Sequence, residues 1–138
     1  MELSQQVCSL ELAKRLKALG VKQDSLFYWH NIDSIPSVIC EHWFPERSGD
    51  FWVAAFTVAE LGALLTWEVL IWDDNELRHS YYLSMIKVTN EYLVSYNSTG
   101  NKPVYGITLK CIKDESEANA RALMLIWLIE NGHVKVGE

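Results

Sequence analysis

Eight consecutive apolar residues, Ala122 to Ile129, lie within the last helix that the sequence predicts. A helix on a protein surface normally shows an apolar stripe, whereas here the whole circumference is apolar. We therefore expect this helix to lie deep in a core or to pack against a second copy of the chain. In the second case, the interface residues would be Leu125, Trp127 and Leu128.

The composition is that of a folded protein. Hydrophobic residues make up 49 % and charged residues 22 % of the 138 residues, which excludes a disordered chain. This length fits one domain, which we place at residues 1–138. Six tryptophans are unusual for a chain of this size, and large amphipathic rings are enriched in cores and in contact surfaces.

Charge is unevenly distributed along the chain, whose net charge is −6. Residues 25–80 contain nine acidic and two basic side chains, which disfavours a nucleic-acid partner for this part. A basic cluster on the first predicted helix could still contact phosphates, and its members are Lys14, Arg15, Lys17 and Lys22. The cluster lacks interleaved aromatic residues and a known binding module, so a solvated helix face is the better interpretation.

Cysteine usage and the N-terminal sequence indicate the cytoplasm. The three cysteines have no framework spacing and no signal peptide is visible, so we expect reduced thiols. Phe51 to Trp72 is long enough to span a membrane, but Glu60 and Glu68 interrupt it. The segment also divides into shorter elements, and we therefore expect no membrane partner.

Capping signals place three helices. Ser9 can cap a helix over residues 9–20, which Gly20 would end. Thr57 and Glu60 form a capping box for a second helix reaching about residue 65. Gly62 inside that helix suggests close packing against a bulky neighbour. The third helix is predicted to run to residue 131.

Alternating patterns and turn residues place the strands between those helices. We expect a hairpin and a short third strand before the second helix, and four strands after it. The predicted strands are Leu26–His30, Ser37–Trp43, Phe51–Phe56, Trp67–Trp72, Tyr81–Val88, Tyr92–Tyr96 and Val104–Ile112. The fold class is therefore α+β, an antiparallel meander sheet with three helices in the order α-ββ(β)-α-ββββ-α.

Two finer predictions concern the end of the sheet. In the last strand Ile107, Leu109 and Cys111 should face the core, because they alternate with polar neighbours. Asp114 begins a second capping-box pattern, with Glu117 three residues later, which would open the last helix.

The ring-rich segment 27–56 is the main candidate for a binding surface. Its rings fall on both faces of the predicted hairpin, so they require cover on both sides or a ligand. Burial in the core is the simpler explanation. If some rings remain open, the contact residues would be Tyr28, His42, Trp43 and Trp52.

No group of residues carries a recognisable chemistry. Cys40 and His42 lack the further ligands that zinc requires, and Cys8 has no associated base. The acidic run from Asp73 to His79 departs from the calcium-loop pattern and reads as a hairpin turn. Phosphate-binding loops and nucleophile elbows are absent from the sequence. We therefore expect no catalytic residues, metal or cofactor.

Three stretches carry a resemblance: residues 7–29, 55–65 and 120–132. Together they resemble a group of small uncharacterised proteins encoded in prophages and other mobile elements of bacteria. This group has no assigned activity, so no functional residue is transferred. The resemblance implies a phage-derived cytosolic accessory protein.

These observations leave three functional hypotheses. The first is a non-enzymatic interaction module that binds a second copy of itself or a phage or host protein. The second is a small-ligand-binding protein, or an enzyme of unfamiliar class, that uses the ring-rich segment 27–56. The third is a nucleic-acid regulator acting through the basic first helix.

Overall fold

The protein is described here by a computed structural model, which covers residues 2–32, 35–40, 52–98 and 108–136. In chain order its elements are α1 (Leu3–Gln6), α2 (Leu10–Ala18), β1 (Phe27–Ile32), β2 (Ile35–Cys40), β3 (Trp52–Ala54), α3 (Val58–Leu64), β4 (Glu68–Trp72), β5 (Arg78–Val88), β6 (Glu91–Asn97), β7 (Thr108–Asp114) and α4 (Glu117–Glu130). This order confirms the predicted α+β class. The short helix α1 was not predicted.

Local capping explains where α2 and α3 begin. The Ser9 hydroxyl accepts a hydrogen bond from the backbone N–H of Leu12, and the predicted capping box between Thr57 and Glu60 is present. Gly20, after α2, has a φ of +93°, a conformation that glycine adopts without strain. These predictions are confirmed.

The predicted capping box at Asp114 is wrong. The N-cap of α4 is Ser116, whose hydroxyl accepts from the backbone N–H of Asn119 at 3.2 Å. The Asp114 carboxylate accepts from the backbone N–H of Ser116 at 2.8 Å, which forms the turn that precedes the helix. Gly132, with a φ of +75°, follows the helix as predicted.

The strands form two antiparallel sheets. The first has the order β2-β1-β3, and the second is a meander in the order β4-β5-β6-β7. In the second sheet β4 pairs with residues 78–82 of β5, whereas β6 pairs with residues 82–88. The meander is therefore staggered along its longest strand.

An irregularity in β7 overturns one prediction about its faces. Tyr96 pairs with Lys110 but the next residue, Asn97, pairs with Thr108, so Leu109 is an extra residue in the ladder. Leu109 packs against the core, and the extra residue turns Cys111 to the exposed side. The prediction that Cys111 faces inward is therefore wrong, and Ile107 lies outside the described residues.

Helix α4 is the centre of the core. It packs against β6 and β7 of the meander and against α2 and α3. Seven of its 14 residues are buried: Ala118, Ala120, Ala122, Met124, Leu125, Ile126 and Leu128. Neighbours on several sides explain why its sequence is apolar all round.

Gly62 marks the contact between α3 and α4. A Cβ placed on Gly62 would collide with Nη1 of Arg121, which donates to the carbonyl of Val58 at 3.0 Å. The second terminal nitrogen of the Arg121 guanidinium, Nη2, lies 2.7 Å from a carboxylate oxygen of Glu117. The bulky neighbour predicted for Gly62 is thus an arginine that joins the two helices. Within the described ranges, no helix combines the length and the apolar character needed to cross a membrane.

Candidate functional site

The described part of the predicted ring surface is largely core. Tyr28 is only 2 % exposed, and its hydroxyl donates to the carbonyl of Gln23 and accepts from the backbone N–H of Ser25. Trp52 is half-buried beside it, with ring centroids 6.3 Å apart. Predicted positions His42 and Trp43 lie outside the described residues.

The predicted interface residues of α4 are covered by the chain itself. Leu125 and Leu128 belong to the hydrophobic core. Trp127 is partly buried, and its ring lies 5.2 Å from that of His133 and below the Lys110 ammonium group. Contacts within one chain therefore explain why these three side chains are apolar. The apolar surface that is exposed to a partner lies elsewhere.

That open surface is one side of the meander sheet. Alternate residues face the helices, and their neighbours face away from them. We call the side away from the helices the outer face, and the register places on it Glu68, Leu70, Trp72, Arg78, Ser80, Tyr82, Ser84, Ile86, Val88, Glu91, Leu93, Ser95, Asn97, Thr108, Cys111 and Lys113.

Two apolar patches lie on the outer face. The first patch consists of Trp67, Leu70 and Trp72, which are 69 %, 45 % and 64 % exposed. Trp67 directly precedes β4, and its ring lies 5.9 Å from the Tyr82 ring of the outer face. The second patch is built by Ile86 and Val88, which are 53 % and 48 % exposed, and by Leu93 opposite Ile86.

The two patches expose far more apolar area than scattered surface residues do. A tryptophan side chain offers roughly 150–250 Å², and two of them here are about two-thirds exposed. Monomeric proteins rarely expose apolar patches of more than a few hundred square ångströms unless a partner covers them. The outer face is therefore the strongest candidate contact surface among the described residues.

A separate cleft of about 830 Å³ opens where the two sheets meet the helices. Trp29 of β1 and Tyr92 of β6 contribute rings to it, and the capping residues Ser9, Thr57 and Ser116 line its mouth. The size lies within the range of small-molecule sites.

Backbone contacts bring these capping residues together. Val7, near Ser9, forms an isolated bridge with Thr57, and the backbone N–H of Ser9 donates to Oδ1 of Asn119 at 2.8 Å. Each capping hydroxyl accepts from a backbone N–H, which leaves its own O–H for another acceptor. None of the described residues lining the cleft is positively charged.

Cys8 lies between Val7 and Ser9, which line the cleft, and is fully buried. Burial raises the pKa of its thiol to about 11. Only the thiolate is nucleophilic, so this environment opposes the catalytic role considered for Cys8.

We expect iodoacetamide at pH 8 to modify exposed Cys111 rapidly and to leave Cys8 unmodified until the protein is unfolded. Peptide mass spectrometry of alkylated native and denatured protein measures both sites. Equal labelling rates for the two cysteines in native protein would contradict the burial of Cys8.

The acidic run after β4 forms a hydrogen-bonded hairpin turn. Oδ2 of Asp73 lies 2.8 Å from Nε2 of His79, and Oδ1 accepts from the backbone N–H groups of Leu77 and Asn75. The bond to His79, followed by that from Leu77, lowers the pKa of Asp73 below its ordinary value of 3.8.

The contribution of Asp73 to stability should therefore be complete above its unfolded pKa and should disappear as the pH falls through the lowered folded value. We expect the substitution His79→Ala to raise the pKa of Asp73. Carboxyl NMR titration of the two proteins tests this. An unchanged Asp73 titration would remove His79 as the main cause.

The described ranges can also be searched for metal ligands and for a free basic surface. They contain no group of three or more His, Cys, Asp or Glu side chains able to hold a metal ion. The basic cluster of α2 is partly engaged, because Arg15 pairs with Glu130 at 3.2 Å and Lys17 donates to the carbonyl of Trp52 at 2.9 Å. Lys14 and Lys22 remain exposed.

Comparison of the chain with protein-family models gives no match, and comparisons with curated proteins and with solved structures give no significant match. The outer face and the cleft are thus defined by geometry alone. Sequence reasoning missed the outer face, and the signal that could have found it is the pair of tryptophans at the two ends of one predicted strand, Trp67 and Trp72. The cleft had no such signal, because its lining comes from distant segments.

Proposed function

We propose that the chain is a non-enzymatic protein-interaction module whose contact surface is the outer face of the meander. The main observation in support of this proposal is the pair of apolar patches, above all Trp67 and Trp72, each about two-thirds exposed. Tryptophan dominates the energetics of protein interfaces, since it buries a large area with few rotatable bonds. The resemblance to prophage proteins gives the proposed setting, a cytosolic accessory protein of a mobile element.

The outer face is a better contact surface than the two alternatives from sequence. The apolar residues of α4 already stabilise the core, and half of the basic cluster on α2 contacts the chain itself. Interfaces concentrate aromatic residues in the centre and place charges at the rim. Arg78 at the start of β5, and Glu91 of β6 beside the end of β5, fit this arrangement.

Site-specific photo-cross-linking tests the proposal. A benzophenone amino acid replaces Trp72, and in a matched control it replaces the exposed Lys14 of α2. In cells that naturally produce the chain, we expect position 72 to give a discrete covalent adduct and position 14 to give none. No adduct at position 72, or the same adducts at both positions, would overturn the proposal.

The cleft supports a second candidate function, the binding of a small ligand. Its rings and its capping hydroxyls suit an uncharged molecule with apolar faces and several oxygen acceptors, such as a neutral saccharide. The absence of positive charge among the described lining residues disfavours phosphates.

Calorimetric titration with neutral mono- and disaccharides, and with glucose 6-phosphate as the charged counterpart, tests this second function. We expect binding of a neutral sugar that the substitution Ser4→Trp abolishes, because Ser4 lines the cleft. Lys22→Trp, outside the cleft lining, is the matched control. Sugar binding that survives Ser4→Trp, or no binding by any probe, contradicts a saccharide site.

A further inference from the structure

We propose that the partner on the outer face is a second copy of this chain, packed face to face across a two-fold axis that crosses the strands between Tyr82 and Ser84. This inference rests on the proposed function, because it names the partner for the same surface. The result is a two-layer sandwich of two meander sheets about 10 Å apart.

The spacing of the two patches supports this symmetry. Trp72 and Leu70 of the first patch pair with Arg78 and Ser80 of β5, whereas the second patch contains Ile86 and Val88 of the same strand. Leu70 and Trp72 on one side and Ile86 and Val88 on the other are therefore equally distant from position 83, and about 20 Å separates Ser80 from Ile86. Trp67, whose carbonyl accepts from the backbone N–H of Leu83, lies level with the midpoint. A two-fold axis at the midpoint brings Leu70 and Trp72 of each copy, on β4, level along the strands with the second patch of its partner, on β5 and β6.

Small residues occupy one of the two rows next to the axis, and the other row contains Tyr82. Ser84 of β5 pairs with Ser95 of β6, and Ser95 pairs with Cys111 of β7. This row has no large side chain that would hold two sheets apart. The bulky apolar residues lie on either side, where the symmetry supplies each with a partner.

The charges on the face favour a second copy. The outward positions of the four strands carry two acidic and two basic residues, Glu68, Glu91, Arg78 and Lys113, so the face is neutral although the chain has a net charge of −6. Two copies can therefore meet here without net repulsion.

The same axis brings opposite charges together. It places Arg78 of one copy opposite Val88 of the other copy, and Val88 is paired with Glu91 of the neighbouring strand β6. Arg78 of each copy then faces Glu91 of the other copy, which gives two equivalent ion pairs at the rim. Within one chain these two residues lie about 34 Å apart along the sheet, so they cannot contact each other intramolecularly.

The projected area of the meander falls short of that of a standard interface, and the relief of the side chains has to supply the rest. The four strands contain 5, 11, 7 and 7 residues. At about 3.4 Å per residue and 4.8 Å between strands, they give a projected area of roughly 500 Å². The relief of the side chains raises the accessible area above this projection, toward the roughly 800 Å² per partner of a standard complex.

Sedimentation equilibrium of the full chain at micromolar concentrations tests the proposal first. We expect a monomer–dimer equilibrium whose dissociation constant rises at least about 100-fold on the substitution Trp72→Ser, as for a central interface residue. Trp127→Ser, on α4, is the matched control for loss of a tryptophan. Circular dichroism of each variant establishes that it is folded.

A charge exchange then tests the axis. Arg78→Glu and Glu91→Arg should each raise the dissociation constant about tenfold, because each places like charges opposite one another. The double variant Arg78→Glu/Glu91→Arg should return to within about threefold of the original value. The mismatched double variant Arg78→Glu/Glu68→Arg should give no such recovery.

Each outcome is decisive. A strict monomer, or a dimer indifferent to Trp72→Ser, overturns the second copy as partner. A dimer that needs Trp72 but shows no recovery in the matched exchange overturns the two-fold arrangement. The photo-cross-linking separates these failures from failure of the proposed function, since an adduct at position 72 with a different protein keeps the interaction surface and removes only the dimer.

Discussion

Replacing Leu128 with alanine is expected to lower the free energy of unfolding by about 2–5 kcal/mol. Leu128 is fully buried in α4, the helix that contacts the meander sheet and three other helices. Because neighbours surround α4 on several sides, they cannot close the space that the missing atoms leave. The lost burial and the residual cavity therefore both contribute to the cost.

Urea unfolding followed by circular dichroism measures this effect, at a protein concentration low enough to exclude self-association. Leu26→Ala is the matched control, because it removes the same atoms from a leucine that is 58 % exposed. It should change the free energy of unfolding by less than about 0.5 kcal/mol. Similar losses for the two variants would show that α4 is not the centre of the core.

Glu60→Ala is expected to cost about 2–4 kcal/mol, although Glu60 lies at the start of a helix of only seven residues. Its Oε1 accepts from the Ser25 hydroxyl at 2.9 Å and from the backbone N–H of Thr57 at 3.0 Å. Its Oε2 accepts from the backbone N–H of Leu26 at 3.2 Å. One carboxylate thus joins α3 to the segment that leads into β1, and Ser25 is only 3 % exposed.

Glu11→Ala is the control for Glu60→Ala. Both glutamates lie in the first turn of a helix and share the favourable interaction with the helix dipole. The difference in free energy of unfolding between Glu60→Ala and Glu11→Ala therefore measures the contribution of the three hydrogen bonds of Glu60. A double-mutant cycle with Ser25→Ala should give a coupling of about 0.5–3 kcal/mol. Additive effects would mean that the Ser25 bond contributes nothing.

Features with local causes were predictable from sequence. The Ser9 cap, the capping box of Thr57 and Glu60, and the glycines at positions 20 and 132 each depend on a few neighbouring residues, and all four occur as predicted. In the meander, the short turns between β4 and β5 and between β5 and β6 make adjacent strands pair as antiparallel neighbours. In the first sheet β3 pairs with β1 and not with β2, which turn length does not predict.

Features with tertiary causes were not predictable in this way. The extra residue at Leu109 depends on the ladder with β6, and it reversed the face of Cys111. Two candidate caps for α4 were close in sequence, and only the geometry of the preceding turn favours Ser116 over Asp114.

In the candidate sites, too, the features that could not be predicted are those that depend on tertiary packing. Hydrophobicity alone does not distinguish a leucine of the core from one on an open sheet, so Leu128 was assigned to an interface and Leu70 was not. The difference depends on which side of the meander the helices cover. Packing between segments that are distant in the sequence determines which side is covered.

The contacts between α2 and α4 have a consequence for synthesis of the chain. The N–H of Ser9 bonds Asn119, and Arg15 pairs with Glu130, so residues more than 100 positions apart must meet. While α4 is still inside the ribosome, the inner side of the meander has no cover and α2 has no place to dock. Completion of the fold must therefore follow translation of α4, and until then both sides of that sheet are exposed in the nascent chain.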